Sequence, residues 1–198
     1  VKNTLGYLTV LKIYSYHDKK LSEQKLENMM NFPVTGLTYK QVERYTQWLT
    51  AIYKNEVNNS DDLPYEINFR LPKLEEWEKI AEKGLDQKFK ANKCLDSLNT
   101  VGCMLFNFNA TASCKNYEDY LKNSFGKGSS YVTSFFPDNS GIYGLTGNVA
   151  EMVFENGLCK GGSYNHSAKD CAWDKTLSYE GAQPWLGFRV VAEFKAKK

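Results

Sequence analysis

The chain has 198 residues, 42% hydrophobic and 24% charged, with 25 Lys and Arg against 23 Asp and Glu. This balance excludes the broad basic surface of a nucleic-acid-binding protein, and the most apolar run, residues 101–108, is too short to cross a bilayer. Two histidines cannot build a three-histidine zinc or iron site. The length favours one domain with its own core, so we expect residues 1–198 to form a single domain.

Five cysteines are present, without any Cys-x-x-Cys pair: Cys94, Cys103, Cys114, Cys159 and Cys171. Their spacing argues against zinc knuckles and thioredoxin-type redox chemistry, and it fits either disulfides or buried thiols. Cysteine usage of this kind favours an oxidising, extracytoplasmic compartment. The chain begins at Val1 without a charged and apolar leader, so we expect any targeting segment or lipid anchor to lie outside this sequence.

The first predicted elements are a strand and a helix. Residues 5–16 are rich in β-branched and aromatic residues and predict a strand. Thr38 and Gln41 form a capping-box pattern that predicts a helix start. Apolar residues then recur at helical spacing to about residue 55: Val42, Tyr45, Leu49 and Ile52.

A short extended piece over residues 67–71 and a second helix are predicted next. Apolar residues recur at helical spacing from Leu74, acidic residues lie in the first turn, and Gly84 ends the helix. Lys73 would be a weak N-cap. After residue 85 no helical period exceeds two turns, so short strands, turns and ordered loops are expected. Two early helices and a loop-rich β half predict an α+β fold.

Four segments carry motifs, in this order along the chain: Phe69–Gly84, Gly141–Met152, Lys160–Tyr164 and Gly187–Val190. The first resembles the Arg-Leu-Pro-Thr-x-x-Glu-Trp-Glu signature of the formylglycine-generating (sulfatase-modifying factor) family. The second resembles that family's Gly-Leu-Tyr-Asp-Met-x-Gly-Asn-Val-Trp-Glu-Trp, and the third and fourth resemble its Arg-Gly-Gly-Ser-Trp and Gly-Phe-Arg. Pro33–Thr38 also matches the family's entry into the first helix.

Together these segments cover roughly residues 31–192. The resemblance implies the family's variant of the C-type lectin fold, with two helices, short strands and long ordered loops. The same residues also have a purely structural interpretation. Arg70 and Arg189 would then pair with carboxylates such as Glu76 or Glu151, and Trp77 would anchor the core.

The resemblance also implies a copper site in active members, where two cysteines near the Gly-Gly-Ser segment activate oxygen and oxidise a cysteine of a sulfatase peptide. Here the matching positions are His166 and Cys171, so one ligand is replaced and copper is not an expected cofactor. Ser163 matches a family active-site serine. If catalysis remains, these three residues carry it. Alternatively, Cys171 is bridged to Cys159, His166 is a surface residue, and Ser163 makes a turn hydrogen bond.

Calcium is a candidate cofactor, because the family binds it near the Gly-Asn-Val-Trp-Glu motif through carbonyl and carboxylate oxygens. The matching positions are Gly147, Val149 and Glu151, and Asn107 lies where a second ligand segment is expected. Gly144 replaces an Asp or Asn of the family and has no side-chain oxygen, so calcium is expected to bind more weakly than in active relatives.

The resulting hypothesis is a non-catalytic, extracytoplasmic binding or assembly module, since members without the cysteine pair occur as envelope lipoproteins and lectin-like proteins. Its partner would be a protein, peptide or glycan, bound by the loops of residues 163–186. The candidate contacts besides His166 are Tyr164, Trp173, Tyr179 and Trp185. Two other hypotheses are a metal-dependent oxidoreductase that uses His166 and Cys171, and a calcium-dependent glycan-binding protein.

Overall fold

The computed structural model describes residues 31–55, 65–84, 105–109, 128–135 and 137–196. The strand predicted over residues 5–16 lies outside these ranges, as do Cys94, Cys103 and Cys114. None of the described helices combines the length and the apolar character that crossing a membrane requires.

Helix α1 spans Tyr39–Tyr53 and begins with the predicted capping box. The backbone N–H of Gln41 donates to Oγ1 of Thr38 (3.3 Å), and the N–H of Thr38 donates to Oε1 of Gln41 (2.8 Å). These bonds satisfy donors that have no partner inside a helix. The predicted apolar face is wrong at one position, because Ile52 is 37% exposed. The residues that α1 buries are Val42, Thr46, Leu49 and Thr50.

Helix α2 spans Leu74–Gly84 and buries Trp77 and Ala81. Lys73 is at the predicted N-cap position, since its carbonyl accepts the N–H of Trp77 (3.0 Å). Its side chain has no acceptor, so two carboxylates satisfy the neighbouring backbone donors. The N–H of Lys73 donates to Oε2 of Glu76 (2.8 Å), and the N–H of Leu74 donates to Oε2 of Glu155 (2.9 Å). Glu155 belongs to the turn over residues 153–157, so a residue 81 positions from Leu74 holds the start of this helix.

Two small sheets organise the described chain. Strand β1 (Tyr65–Arg70) pairs antiparallel with β6 (Val191–Ala196), with Tyr65 opposite Ala196. The second sheet has the order β4-β3-β2-β5, in which only β2 and β5 are parallel. Its strands are β2 (Ala150–Met152), β3 (Leu158–Lys160), β4 (Leu177–Ser178) and β5 (Leu186–Phe188). Two helices and short strands give the expected α+β architecture.

Two apolar clusters form the core. The first joins α1 to the four-stranded sheet, and we call it the α1 cluster: Val42, Leu71, Ala150, Met152, Cys159 and Leu186. The second lies under α2, and we call it the Trp77 cluster: Trp77, Ala81, Leu145 and Val153. The loops that carry the candidate site leave β3 and return to β5 next to these clusters.

Candidate functional site

The candidate site begins with a tight turn after β3. Gly161 and Gly162 have positive φ values of 81° and 62°, a conformation that side chains with a Cβ rarely adopt. A Cβ on Gly162 would lie 2.5 Å from Sγ of Cys171. The backbone therefore packs directly on the cysteine sulfur, which only glycine at position 162 allows.

Ser163 and His166 are in direct contact. Oγ of Ser163 lies 2.7 Å from Nδ1 of His166 and accepts the N–H of Asn165 at 3.1 Å. The N–H of His166 donates to the carbonyl of Ser163 (2.9 Å), and the N–H of Asn109 donates to the carbonyl of His166 (2.8 Å). Ser163 is fully buried and His166 is half-buried. The predicted serine and histidine thus form one hydrogen-bonded unit.

The imidazole of His166 is further confined by an aromatic neighbour. The centre of its ring lies 4.6 Å from the centre of the Trp185 ring, at an interplanar angle of 89°. Burial lowers the pKa of His166 from its ordinary value of 6.5, and the Asp170 carboxylate opposes this shift by a smaller amount. The neutral imidazole is therefore favoured near pH 7.

Cys171 and Cys159 are both buried free thiols, so a disulfide between them, one of the sequence-based alternatives, is wrong. Desolvation raises the pKa of Cys171 to about 12, with Asp170 adding to the shift and hydrogen bonds with the backbone of Ser163 and Gly147 opposing it. Burial also raises the pKa of Cys159 to about 12, against the charge of Lys160. Of the two positions matched to the copper ligands, one carries a thiol, Cys171, and the other carries the imidazole of His166, so these two residues do not form the thiolate pair that holds Cu(I).

Glu151 occupies the centre of a charged network. Nε of Arg189 donates to Oε2 of Glu151 (3.0 Å), the same guanidinium also bonds Oε1, and Nε1 of Trp77 donates to Oε2 (2.8 Å). The structural interpretation is thereby confirmed for Arg189 and Trp77. Arg70 is paired in the predicted way as well, with two bonds of 2.7 and 2.8 Å to Glu76, and they lower the pKa of Glu76 to about 2.

The candidate calcium ligands are brought together only in part. Gly147 and Asn107 touch, since a Cβ on Gly147 would collide with the backbone oxygen of Asn107. Oδ1 of Asn107 is buried without a hydrogen-bond partner and would suit a cation. Glu151 does not fit one, because a guanidinium already covers its carboxylate. Val149 contributes a side chain that packs near Gly187.

No group of three His, Cys, Asp or Glu side chains within the described ranges could hold a metal ion.

The candidate binding aromatics lie on two different parts of the core. Trp173 packs against the Trp77 cluster, whereas Tyr179 and Trp185 pack against the α1 cluster. Tyr164 is half-buried and donates its N–H to the carbonyl of Asn148 (3.0 Å). Among these candidate residues, Trp185 is in ring contact with His166.

One buried charged residue near the site was not predicted from the sequence. Lys160, at the position of the family's arginine before Gly-Gly-Ser, is fully buried, with Nζ 2.9 Å from Oε1 of Glu78 and 5.5 Å from the Trp77 ring centre. The signal that could have revealed it was its motif position, which predicts a buried cation next to the site.

Comparison with models of protein families identifies the family of this chain. The model of the sulfatase-modifying factor enzyme 1-like domain matches residues 9–194. The chain belongs to this family. A comparison with curated proteins found no match.

Solved structures that share the fold include three that match more than 80% of this chain. Treponema denticola variable protein 1 is 19% identical with a TM-score of 0.55, over 82% of this chain and 71% of that one. PvdO from Pseudomonas aeruginosa is 18% identical with a TM-score of 0.55, over 83% of this chain and 62% of PvdO. CarF is 18% identical with a TM-score of 0.53, over 85% of this chain and 69% of CarF.

Proposed function

We propose that this member of the sulfatase-modifying factor family does not carry out copper-dependent oxidation and acts as a binding or assembly module outside the cytoplasm. The observation that carries the proposal is the pair of side chains at the two copper positions, of which Cys171 is a buried free thiol. The first copper position holds His166 in place of a cysteine, and its Nδ1 is bonded to Ser163. The location outside the cytoplasm rests on the cysteine usage.

Surface chemistry supports binding at the same loops. His166 and Trp185 are both half-buried with their rings in edge contact, so both residues are partly accessible to solvent. A half-exposed aromatic pair held by backbone hydrogen bonds supplies contact area with little loss of conformational entropy.

A Cu(I) titration against a competing chelator tests the proposal. Wild type should not compete for the ion, whereas His166→Cys, which restores the family's cysteine pair, should bind Cu(I) more tightly than wild type. The matched control is His166→Cys combined with Cys171→Ala, which should lose that gain. Tight stoichiometric uptake by wild type that disappears in Cys171→Ala would contradict the proposal, as would oxidation of a sulfatase-peptide cysteine.

Calcium-dependent glycan binding is a second candidate, favoured by the unpartnered Oδ1 of Asn107. Asn107 and the backbone of Gly147 would hold the ion, which would supply a hard cation for sugar hydroxyl groups. Glycan retention that is lost with a chelator and in Asn107→Ala would support this candidate. Retention that is the same with and without chelator would remove it.

A further inference from the structure

The direction of the backbone groups of strand β6 follows from its pairing with β1. Phe69 of β1 lies opposite Ala192 of β6. The N–H of Phe69 donates to Oγ1 of Thr50 (2.9 Å), which also lies 3.4 Å from the Phe69 carbonyl oxygen. Phe69 and Ala192 therefore form a non-hydrogen-bonded pair, and such pairs alternate with hydrogen-bonded ones along the ladder. The N–H and C=O groups of Ala192, Phe194 and Ala196 consequently point away from β1.

These outward groups form an open strand edge. Within the described part of the chain, no hydrogen bond reaches the backbone of Ala192, Phe194 or Ala196 from that side. An open edge is a template for pairing with a further strand, and a two-stranded sheet gains stability when one is added. Residues 191–196 contain no proline that would block the pairing.

An apolar ring lies beside the open edge. Phe194 shares a face of the sheet with Ile67, its partner on β1, and its ring centre lies 5.2 Å from that of Tyr65. Phe194 is nonetheless 57% exposed, the highest value among the exposed large apolar side chains of the described residues. A strand added at the edge would remove part of this ring from water.

The charges of β6 favour a second copy of the same strand as the added strand. In an antiparallel pair centred on Phe194, this residue faces its own copy, and Glu193 faces Lys195 of the second copy on both sides of the axis. The two adjacent registers would instead place Glu193 opposite Glu193 or Lys195 opposite Lys195. Directly facing opposite charges stabilise a strand pair, whereas like charges destabilise it. The order Glu-Phe-Lys thus selects both the partner and the register.

We propose that β6 pairs antiparallel with β6 of a second copy, centred on Phe194, so that two two-stranded sheets join into one of four strands. In the single chain, the Glu193 carboxylate lies 3.3 Å from Nζ of Lys195 and 3.8 Å from Nη2 of Arg70. It is therefore already on the face where Lys195 of the second copy would lie. The paired edge is six residues long, so the dimer is weak and concentration-dependent. This surface goes beyond the proposed function, because none of the candidate site residues lies on β6.

A charge exchange followed by sedimentation velocity of the full chain tests the partner and the register. Wild type should form a dimer as its concentration rises. Glu193→Lys and Lys195→Glu each place like charges opposite each other at both positions, so each variant alone should dimerise roughly tenfold more weakly. An equimolar mixture of the two variants should dimerise within about threefold of wild type, because every facing pair is then of opposite charge. Equal dimerisation of wild type and both single variants would overturn the proposal, as would a mixture no stronger than its components.

Phe194→Pro tests the backbone pairing. This variant removes one outward N–H that β1 does not use, so the β1–β6 ladder keeps its hydrogen bonds while the edge is blocked. It should remain monomeric, whereas Phe194→Ala, which loses the ring but keeps the N–H, should still dimerise, more weakly than wild type. If Phe194→Pro fails to fold, the two charge variants carry the test, since Lys195 is exposed and Glu193 is half-buried.

Hydrogen exchange of the wild-type chain distinguishes a second copy from other occupants of the edge. The amides of Ala192, Phe194 and Ala196 should be protected at concentrations where the dimer forms and should exchange freely after dilution. A chain that is monomeric at every soluble concentration would overturn the proposal. Protection of these amides in the monomer would also overturn it, because another segment of the same chain would then cover the edge.

Discussion

Glu151, in strand β2, is the central residue of a buried charged network. It is 5% exposed, and its carboxylate bonds both Arg189 and Trp77. Removing one partner of a buried ion pair leaves the other charge desolvated and uncompensated, which costs far more than the pair contributes when intact.

We therefore expect Glu151→Gln to lower the free energy of unfolding by about 3 kcal/mol, measured by urea denaturation. The matched control is Glu75→Gln, because the Glu75–Lys79 pair is 67–69% exposed and should change stability by less than about 0.5 kcal/mol. Added calcium should not change the stability difference between Glu151→Gln and wild type. A calcium-dependent stability that Glu151→Gln abolishes would show that the carboxylate binds the ion after all.

His166 should make stability depend on pH. Burial favours the neutral imidazole and outweighs the opposing effect of the Asp170 carboxylate, so the folded-state pKa of His166 lies below 6.5, the value expected for the unfolded chain. The unfolded chain therefore binds the additional proton first as the pH falls, and stability is lost from about pH 6.5 down towards the folded-state pKa. Above pH 6.5 this contribution is constant.

Comparison of wild type with His166→Phe isolates that contribution from the carboxylates, which titrate in both proteins. Between pH 7.5 and 5.5, wild type should lose more of its free energy of unfolding than the variant does, measured by urea denaturation at each pH. Equal losses would mean that His166 titrates with the same pKa in the folded and unfolded states.

At the scale of elements, the start of α2 depends on a distant carboxylate. Leu74 donates its N–H to Glu155, which also places a negative charge at the positive end of the helix dipole. Glu155→Ala should destabilise the chain by about 1 kcal/mol, measured from the thermal or urea midpoint. Glu82→Ala, at an exposed position of the same helix, is the control. If both variants behave alike, the contact between Glu155 and Leu74 contributes nothing measurable.

Local signals explain why the two helices were predictable. The capping box of α1 involves Thr38 and Gln41, three residues apart, and the Arg70–Glu76 pair is formed within one motif. Such contacts are visible in a sequence because the partners are close in the chain. Glu155 as the N-terminal partner of α2 was not predictable, because it depends on how the β2–β3 turn packs on the helix.

The candidate site was predictable as a set of positions but not as an arrangement. The family motifs indicated Ser163, His166 and Cys171, and the structure brings the first two into hydrogen-bond contact. The motifs could not show that Trp173 and Trp185 pack on different clusters, because that depends on the parallel pairing of β5 with β2. Long-range pairing of this kind leaves no periodic signal in the sequence.

At the scale of the whole molecule, the fold determines the reactivity of the cysteines. Cys159 lies in the α1 cluster, and Cys171 is packed under the Gly-Gly turn. Both are fully buried with pKa values of about 12. Alkylation needs an accessible thiolate, so both residues depend on unfolding to react.

We expect iodoacetamide at pH 8 to leave Cys159 and Cys171 unmodified in the folded chain and to modify both in urea without reductant, as read by peptide mass spectrometry. With these two thiols free, the other three cysteines can form at most one disulfide within the chain, so reductant should expose no more than two additional thiols. A peptide that links Cys171 to any other cysteine would contradict the structure. Modification of Cys171 in the folded chain would instead show that its thiol is accessible and reactive, as copper chemistry requires.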